Sequence, residues 1–225
     1  RYMIYVTGDT HGELADFQQK EFKNLKKGDY LLVCGDFGFF WNGDKSEQKA
    51  LKWLSRQKYT ILFVEGTHDN LDIIEAVTPQ DWNGGQVRKL GENLFQLCRG
   101  HIFRLEGNYI FAMGGGESPD MDQREAQGAW WERELPNAQE MEQARERLAQ
   151  YRNVVDYIVT HDCPATLQKN FSKDEMSLHA NPLNLFFDEI SRECRFKQWY
   201  FGCYHADKRI PPYHTAVFRQ LIALR

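Results

Sequence analysis

Short hydrophobic runs alternate with amphipathic stretches along the first third of the chain. Runs rich in β-branched and aromatic residues cover residues 2–7, 30–34 and 60–65, and each predicts a buried strand. Between them, residues 13–27 and 44–57 carry apolar side chains at helical spacing. This strand–helix–strand–helix–strand order is typical of an α/β fold whose parallel strands are joined by helical crossovers.

The pattern changes in the middle of the chain. Residues 93–98, 101–105 and 109–113 are short apolar runs separated by turn dipeptides, which predicts hairpins. Later segments predict helices at 136–152 and 182–195 and strands at 154–160, 198–201 and 215–218. The sequence has no internal repeat and no linker, so we expect one catalytic domain over residues 1–225.

Composition narrows the class of protein. Of the 225 residues, 42% are hydrophobic and 27% are charged, with 14% aromatic residues, which argues against disorder. The net charge of −4 argues against a broad basic face for duplex nucleic acid, and no apolar run approaches the length of a membrane helix. Five cysteines, an odd number, do not indicate a disulfide framework. We expect a cytoplasmic protein that does not act at a membrane.

Side chains that can bind metals follow five of the predicted strands. They are, strand by strand, Asp9 and His11, then Asp36, then His68 and Asp69, then His161 and Asp162, then Cys203 and His205. The carboxyl ends of parallel strands are where open α/β sheets gather their ligands. One Gly-Asp pair or one histidine after a strand is usually a turn or a surface residue, but five such strand ends predict a polynuclear metal site. Mixed imidazole and carboxylate ligands suit Mn, Fe or Zn better than Ca.

The order of these motifs resembles that of the calcineurin-like metallophosphoesterases. That family has the motifs GDxHG, GDxxD or GDxxG, GNH(D/E), a histidine after a strand, and GHxH. Here they read Gly8-Asp9-Thr10-His11-Gly12, Gly35-Asp36-Phe37-Gly38, Gly66-Thr67-His68-Asp69, Thr160-His161 and Gly202-Cys203-Tyr204-His205. The resemblance implies a four-layer fold, a two-sheet β-sandwich flanked by α-helices, with two metal ions beside the strand ends.

The resemblance also assigns metal ligands position by position. It implies a first metal ion held by Asp9, His11, Asp36 and His205, with Asp36 bridging to a second. The second ion would use Asp36, His161 and two positions that depart from the family. Thr67 stands where the family has Asn, and Cys203 stands where it has His. A Cys203 thiolate would favour zinc.

For the reaction, the resemblance implies hydrolysis of a phosphate ester by a metal-activated hydroxide. His68 would be the general acid or a donor to the phosphate oxygens, and Asp69 would orient its ring. The substrate we expect is a small molecule or a nucleotide, either a phosphomonoester or a phosphodiester. The oligomeric state does not follow from the sequence.

Other interpretations stay open at this stage. Thr67 and Cys203 also fit a one-metal or non-catalytic family member that acts by binding. Cys203, with Cys163 nearby, fits a redox-sensitive enzyme. In the polar and aromatic segment 114–134, Arg124 could pair with substrate phosphate, as could Arg99 from outside it, while a packed loop with surface salt bridges explains the same residues.

Overall fold

A computed structural model of the chain, which describes residues 1–174 and 178–224, contains strands that form two sheets. In chain order the strands are β1 (Ile4–Thr7), β2 (Tyr30–Cys34), β3 (Thr60–Val64), β4 (Gln80–Trp82), β5 (Gly85–Gly91), β6 (Leu94–Leu97), β7 (His101–Leu105), β8 (Asn108–Met113), β9 (Tyr157–Thr160), β10 (Gln198–Phe201), β11 (Lys208–Ile210), β12 (His214–Ala216) and β13 (Ile222–Ala223). The first sheet has the order β13-β1-β2-β3-β6-β5-β4 and the second has the order β11-β12-β10-β9-β8-β7.

The helices connect these strands and cover the two sheets. They are α1 (Leu14–Phe17), α2 (Lys45–Ser55), α3 (Leu71–Glu75), α4 (Met121–Ala126), α5 (Ala138–Gln150) and α6 (Pro182–Glu193), with 3-10 turns at Lys20–Asn24, Glu132–Glu134 and Ala165–Asn170. None of the helices in the described residues combines the length and the apolar character needed to span a bilayer.

Parallel pairing aligns the strand ends that carry the polar motifs. In the first sheet β1 pairs with β2, and β2 pairs with β3, all in parallel. In the second sheet β9 and β10 are parallel neighbours, with Phe201 opposite Thr160. The loops that leave these five strands at their carboxyl ends are the ones that carry the candidate ligands.

Strand β2 shows why the fold has four layers. Leu32 and Cys34 point into a core shared with residues of the second sheet, whereas Leu31 and Val33 pack with Leu54 of α2 on the outer face. All four strand residues are fully buried, as expected for a strand that is covered on both sides.

The second sheet is covered in the same way. Its outer face packs Trp199 and Phe201 against helices α5 and α6, for example against Leu148 and Phe187. Tyr200, which lies between them in the strand, faces the shared core instead. The predicted two-sheet β-sandwich flanked by α-helices is therefore confirmed.

The long helix predicted over residues 13–27 is wrong. The segment forms the four-residue helix α1 and then a 3-10 turn. Phe17 and Phe22 are both buried and their rings lie 5.8 Å apart. A continuous α-helix would turn residues five apart away from each other, so the chain breaks at Gln18 to bury both rings.

Strands β4 and β5 extend the first sheet, and they were not predicted. Asn83 and Gly84 connect them with φ angles of 48° and 93°. An Asn-Gly pair with two positive φ angles is the favoured two-residue hairpin turn. The pair is visible in the sequence, and it was the signal that could have found this hairpin.

Candidate metal centre

The loops after β1 and β2 are joined through their backbones before any side chain is considered. The His11 amide donates to the Asp36 carbonyl at 2.8 Å, and the Gly12 amide donates to the Phe37 carbonyl at 2.9 Å. This pairing holds the side chains of His11 and Asp36 over the same point at the sheet edge.

Asp9, His11, Asp36 and His205 form a compact cluster. One ligand atom from each residue lies within 4.8 Å of those of the other three. His11 Nε2 is 3.5 Å from Asp9 Oδ2 and 3.5 Å from Asp36 Oδ2, and His205 Nε2 is 3.3 Å from Asp9 Oδ2. Two carboxylates and two imidazoles thus converge on one small volume.

The cluster has the features that a metal ion would satisfy. Asp9 Oδ2 is buried and has no hydrogen-bond partner among the residues that the structure describes. Such an orphaned carboxylate oxygen destabilises a fold unless a cation or a donor faces it. Oxygen and imidazole nitrogen donors fit Mn, Fe or Zn, so these four residues fit a metal ion.

His161 extends the cluster on its buried side. Its Nε2 lies 3.7 Å from Asp36 Oδ1, and its Nδ1 lies 3.8 Å from Asp9 Oδ1. The ring is almost fully buried, and Nδ1 is also 3.3 Å from the Cys34 carbonyl. Asp36 therefore has one carboxylate oxygen toward His11 and the other toward His161, as a bridging ligand requires.

Cys203 and Thr67 are the other two residues implied for the second metal position. The Cys203 amide donates to Asp9 Oδ1 at 3.0 Å, and burial raises the pKa of its thiol well above the usual value. Thr67 is buried, and its Oγ1 lies 3.4 Å from His68 Nδ1. A metal ion at this position would have to displace the thiol proton of Cys203, and Thr67 offers it only a neutral hydroxyl.

Two glycines allow the loops to approach this closely. A Cβ atom on Gly35 would lie 1.9 Å from His161 Nδ1, and one on Gly66 would lie 2.1 Å from Asp36 Oδ1. Any side chain at either position would displace a candidate ligand, so the glycines of the motifs serve the site rather than a turn alone.

Four non-glycine residues of this region adopt positive φ angles. The values are 48° at His11, 45° at Asp36, 77° at Cys203 and 50° at His205. Each costs free energy that the surrounding fold must offset, and such conformations cluster at functional sites. The backbone is therefore held in strained turns at the positions where the candidate ligands converge.

The cluster favours positive charge. Burial lowers the pKa of His161, but the Asp36 and Asp9 carboxylates outweigh it and raise that pKa to about 9. The Asp9 carboxylate, whose Oδ2 lies 3.5 Å from His11 Nε2, raises the pKa of His11. Burial opposes ionisation of Asp36, yet His161 and His68 hold the pKa of Asp36 well below its usual range. Protons and metal cations compete for such sites.

His68 and Asp69 have different surroundings from those expected. The carboxylate beside the His68 ring is that of Asp36, whose Oδ2 lies 3.1 Å from His68 Nδ1. Asp69 instead accepts backbone N–H bonds from Phe37, Gly38 and Gly66 at 3.3, 2.8 and 2.9 Å. Asp69 thus ties the loop after β2 to the loop after β3 and does not orient the His68 ring. Burial raises the pKa of Asp69 to about 6, although the backbone hydrogen bonds that it accepts lower this pKa.

Arg99 lies in a buried ion-pair network and not in the cluster. Its Nε donates to Glu65 at 2.6 Å, and its Nη1 donates to Glu140 at 3.2 Å. Its Nη2 donates to the carbonyls of Arg133 and Glu134. With these acceptors arranged around the guanidinium, the structure gives the expected phosphate contact of Arg99 no support.

Arg124 contacts Trp41, an aromatic side chain near the cluster. Its Nε donates to the Ala129 carbonyl at 3.1 Å, and its guanidinium lies 5.4 Å from the ring centre of Trp41. The Trp131 ring also contacts Trp41, edge-on, with the two ring centres 5.9 Å apart. The segment that contains Arg124 and Trp131 therefore braces Trp41, whose ring lies 6.4 Å from that of His68.

A cavity of about 1030 Å³ opens beside the cluster. His11 and His68 line one end of it, and Trp41 and Trp53 line its walls. The apolar spacing of residues 44–57 predicted only a packed helix, so the role of α2 as a cavity wall was missed.

A scan against protein-family models matches residues 2–208 to calcineurin-like phosphoesterase. The chain belongs to the calcineurin-like phosphoesterase family. The family uses metal ions, which agrees with the cluster around Asp9 and Asp36. No curated protein matches the chain.

Solved structures similar to the chain are distant from it in sequence. One is a candidate 5′-nucleotidase from Staphylococcus aureus in complex with α-ketoglutarate, with a TM-score of 0.49 and 14% identity. The match covers 97% of this chain and 49% of the nucleotidase chain. Another is phosphopantetheinyl hydrolase from Mycobacterium tuberculosis, with a TM-score of 0.43 and 13% identity, covering 96% and 89%. A third, from Aquifex aeolicus, is a protein of unknown function with a TM-score of 0.41 and 14% identity, covering 87% and 89%. The chain spans about half the length of the first structure, and at these TM-scores none of the three indicates its activity.

Proposed function

We propose that the chain is a metal-dependent phosphoesterase that hydrolyses a small phosphate ester. The observation that carries this proposal is the convergence of Asp9, His11, Asp36 and His205, whose ligand atoms lie within 4.8 Å of one another. Family membership supports the same chemistry. A cytoplasmic location stays a prediction.

In the proposed site, the four clustered residues hold one metal ion, Mn, Fe or Zn. Asp36 and His161 offer ligands to a second ion, with Cys203 and Thr67 at its remaining positions. When bound, such ions polarise the phosphoryl oxygens and lower the pKa of a coordinated water. The protein contributes rigid placement, because strained backbone and paired loops fix the ligands before the ion arrives.

His68 is proposed as the general acid. Its Nδ1 faces the Asp36 carboxylate at 3.1 Å, which leaves Nε2 as the ring atom available to a ligand. The side chain is 43% exposed and lines the cavity beside the cluster. A histidine in this position can donate a hydrogen bond to a phosphate oxygen or a proton to the departing alkoxide.

The size and lining of the cavity support a small-molecule or nucleotide substrate. A volume of about 1030 Å³ is enough for a drug-sized or nucleotide-sized molecule. Trp41 and Trp53 offer apolar contact area next to the polar cluster. Both a phosphomonoester and a phosphodiester fit this description.

Metal reconstitution tests the proposal. The protein is stripped with a chelator, then loaded with Mn, Fe or Zn, and assayed with p-nitrophenyl phosphate and bis(p-nitrophenyl) phosphate. Metal per chain is counted by elemental mass spectrometry in parallel. The Asp36→Asn variant tests the site, and His179→Ala, which removes an exposed histidine outside the cluster, is the matched control.

We expect hydrolysis to return with the metal in the wild type and in His179→Ala, and to be lost in Asp36→Asn. If the wild type binds metal and hydrolyses neither ester nor any nucleotide offered, the proposal is wrong and the chain is a binding member of its family. Failure of the wild type to bind any of the three metals would also contradict the proposal.

A further inference from the structure

A groove leads away from the metal cluster along helix α2, and hydrolysis at the cluster does not by itself need it. The groove is the elongated part of the cavity that begins at His11 and His68 and reaches Arg56 just beyond the end of α2. From Ser46 to Arg56 the helical rise of 1.5 Å per residue gives a wall about 15 Å long. This length exceeds what a single phosphate group requires.

Three cations lie in a row on this wall. Lys49, Lys52 and Arg56 are all exposed, all line the groove, and follow the spacing i, i+3, i+7 that places residues on one side of a helix. None of them forms an ion pair with the residues that the structure describes. On a chain with a net charge of −4, this row is a local concentration of unpaired positive charge.

Carboxylates lie mostly at the near end of the groove. Asp44 caps α2 and accepts a bond from the Glu47 amide at 2.8 Å. The Glu47 carboxylate in turn accepts backbone N–H bonds from Trp41 and Gly43. Glu13 is exposed on the opposite wall. The far half of the groove, next to Arg56, is therefore positive.

Two tryptophans line the same groove as the row of cations. Trp41 is close to His68, and its ring also contacts Trp131 and Arg124. Trp53 is half-buried and lines the groove on the same helix as the cations. Aromatic side chains beside a basic track are the combination that binds single-stranded nucleotide chains, because every base can stack on an aromatic face.

We propose that the groove binds a short single-stranded nucleotide chain whose terminal phosphate lies at the metal cluster. The bases stack on Trp41 and Trp53, and the following phosphates lie along Lys49, Lys52 and Arg56. The row of three cations is about 10 Å long, so it can contact at most three successive phosphates. This inference rests on the proposed function for the placement of the first phosphate.

The test compares oligothymidylates of increasing length, pT, pTpT, pTpTpT and pTpTpTpT, as substrates of the metal-loaded protein. Their binding to the metal-free protein is measured separately by fluorescence anisotropy, which needs no turnover. The groove variant is Lys49→Ala/Lys52→Ala/Arg56→Ala. The matched control is Lys23→Ala/Lys26→Ala/Lys27→Ala, which removes three exposed lysines that precede β2, at the end of the strand opposite to Asp36. Both variants are checked for folding by circular dichroism.

We expect kcat/KM and affinity to rise from pT to pTpTpT and then to level off. Because each exposed charge contact contributes up to about fivefold, the groove variant should lose about tenfold on pTpTpT. It should lose nothing on p-nitrophenyl phosphate, and the control variant should behave as the wild type.

Two results would overturn the inference while leaving the proposed function intact. One is hydrolysis of p-nitrophenyl phosphate with no dependence on oligothymidylate length. The other is binding of inorganic tripolyphosphate, which has the charges but no base, with the same affinity as pTpTpT. Length-dependent binding that the groove variant abolishes, without hydrolysis of any ester, would instead support the groove and contradict the phosphoesterase proposal.

Discussion

The Nε2 atoms of His11 and His205 lie 3.0 Å apart, although the two residues are 194 positions apart in the chain. Both atoms also lie within 3.5 Å of Asp9 Oδ2. A single proton shared by the two rings leaves the Asp9 oxygen without a hydrogen-bond donor, whereas a metal cation can bind all three atoms. The first prediction follows from this geometry.

Replacing either histidine, as His11→Ala or His205→Ala, should reduce the metal bound per chain at a fixed free metal concentration. Mutating a residue that only hydrogen-bonds to a metal ligand lowers metal affinity by roughly 10–100-fold. Removing a ligand itself should lower the affinity by at least as much. Elemental mass spectrometry and calorimetric titration measure the loss, with His179→Ala as the control. Unchanged metal affinity in both variants would mean that the ion binds elsewhere.

Restoring the family residues at the second position is a separate test. Thr67→Asn and Cys203→His together should raise metal occupancy toward two ions per chain and should increase the rate of ester hydrolysis. An amide oxygen is a better ligand than a hydroxyl, and a neutral imidazole can bind without the loss of a proton that the Cys203 thiol requires. If the double variant matches the wild type in occupancy and in rate, Thr67 and Cys203 already support a complete site.

His68 and Asp69 are adjacent but should fail in different ways. Asp69→Asn leaves one acceptor oxygen for three backbone N–H groups, so we expect a loss of about 1–3 kcal/mol in the free energy of unfolding. His68→Gln should leave that free energy nearly unchanged, because the side chain is partly exposed, while ester hydrolysis falls. Urea unfolding and kcat, measured on both variants, distinguish the two roles. A stable but inactive Asp69→Asn would contradict the structural role of Asp69.

His214 should make the fold sensitive to acid. Burial lowers its pKa to about 4, and its Nε2 is buried without a partner in the described part of the chain. An unfolded histidine has a pKa near 6.5. Between these values the unfolded state binds more protons, so stability falls as the pH drops from about 6.5 toward 4 and the loss levels off below that.

The expected effect of His214 is roughly 1–2 kcal/mol, since the ring is only partly buried. His214→Phe keeps the ring that packs on Trp199 but cannot be protonated. Urea unfolding at pH 7 and pH 5 should therefore show a smaller loss in this variant than in the wild type. His179→Phe, an exposed position, should show the wild-type loss.

The outline of the candidate site could be predicted because strand ends can be found in a sequence. Asp9, Asp36 and His161 each follow a short apolar run, and parallel pairing then brings such residues together. The partners of individual side chains could not be predicted. Asp69 accepts from backbone amides up to 32 positions away, and Arg99 pairs with Glu65, 34 positions away. Such contacts depend on how loops from different strands pack, which periodicity does not encode.

The same limit applies to the fold. Apolar spacing correctly indicated the buried face of α2, which packs Leu54 on the first sheet. It failed over residues 13–27, where Phe17 and Phe22 are buried by breaking the helix rather than by sharing one of its faces. Local propensity was outweighed there by burial of aromatic surface.

The two-sheet construction of the cluster sets the order in which it can assemble during protein synthesis. Asp9 and Asp36 leave the ribosome early, but His161 and His205 belong to the second sheet and are made much later. At roughly 5–20 residues per second, about 10–40 seconds pass between the synthesis of Asp9 and that of His205. Until then the four-residue cluster lacks one of its two imidazoles, so a nascent chain should not hold a metal ion in this site. Metal capture would thus mark the moment at which both sheets have docked.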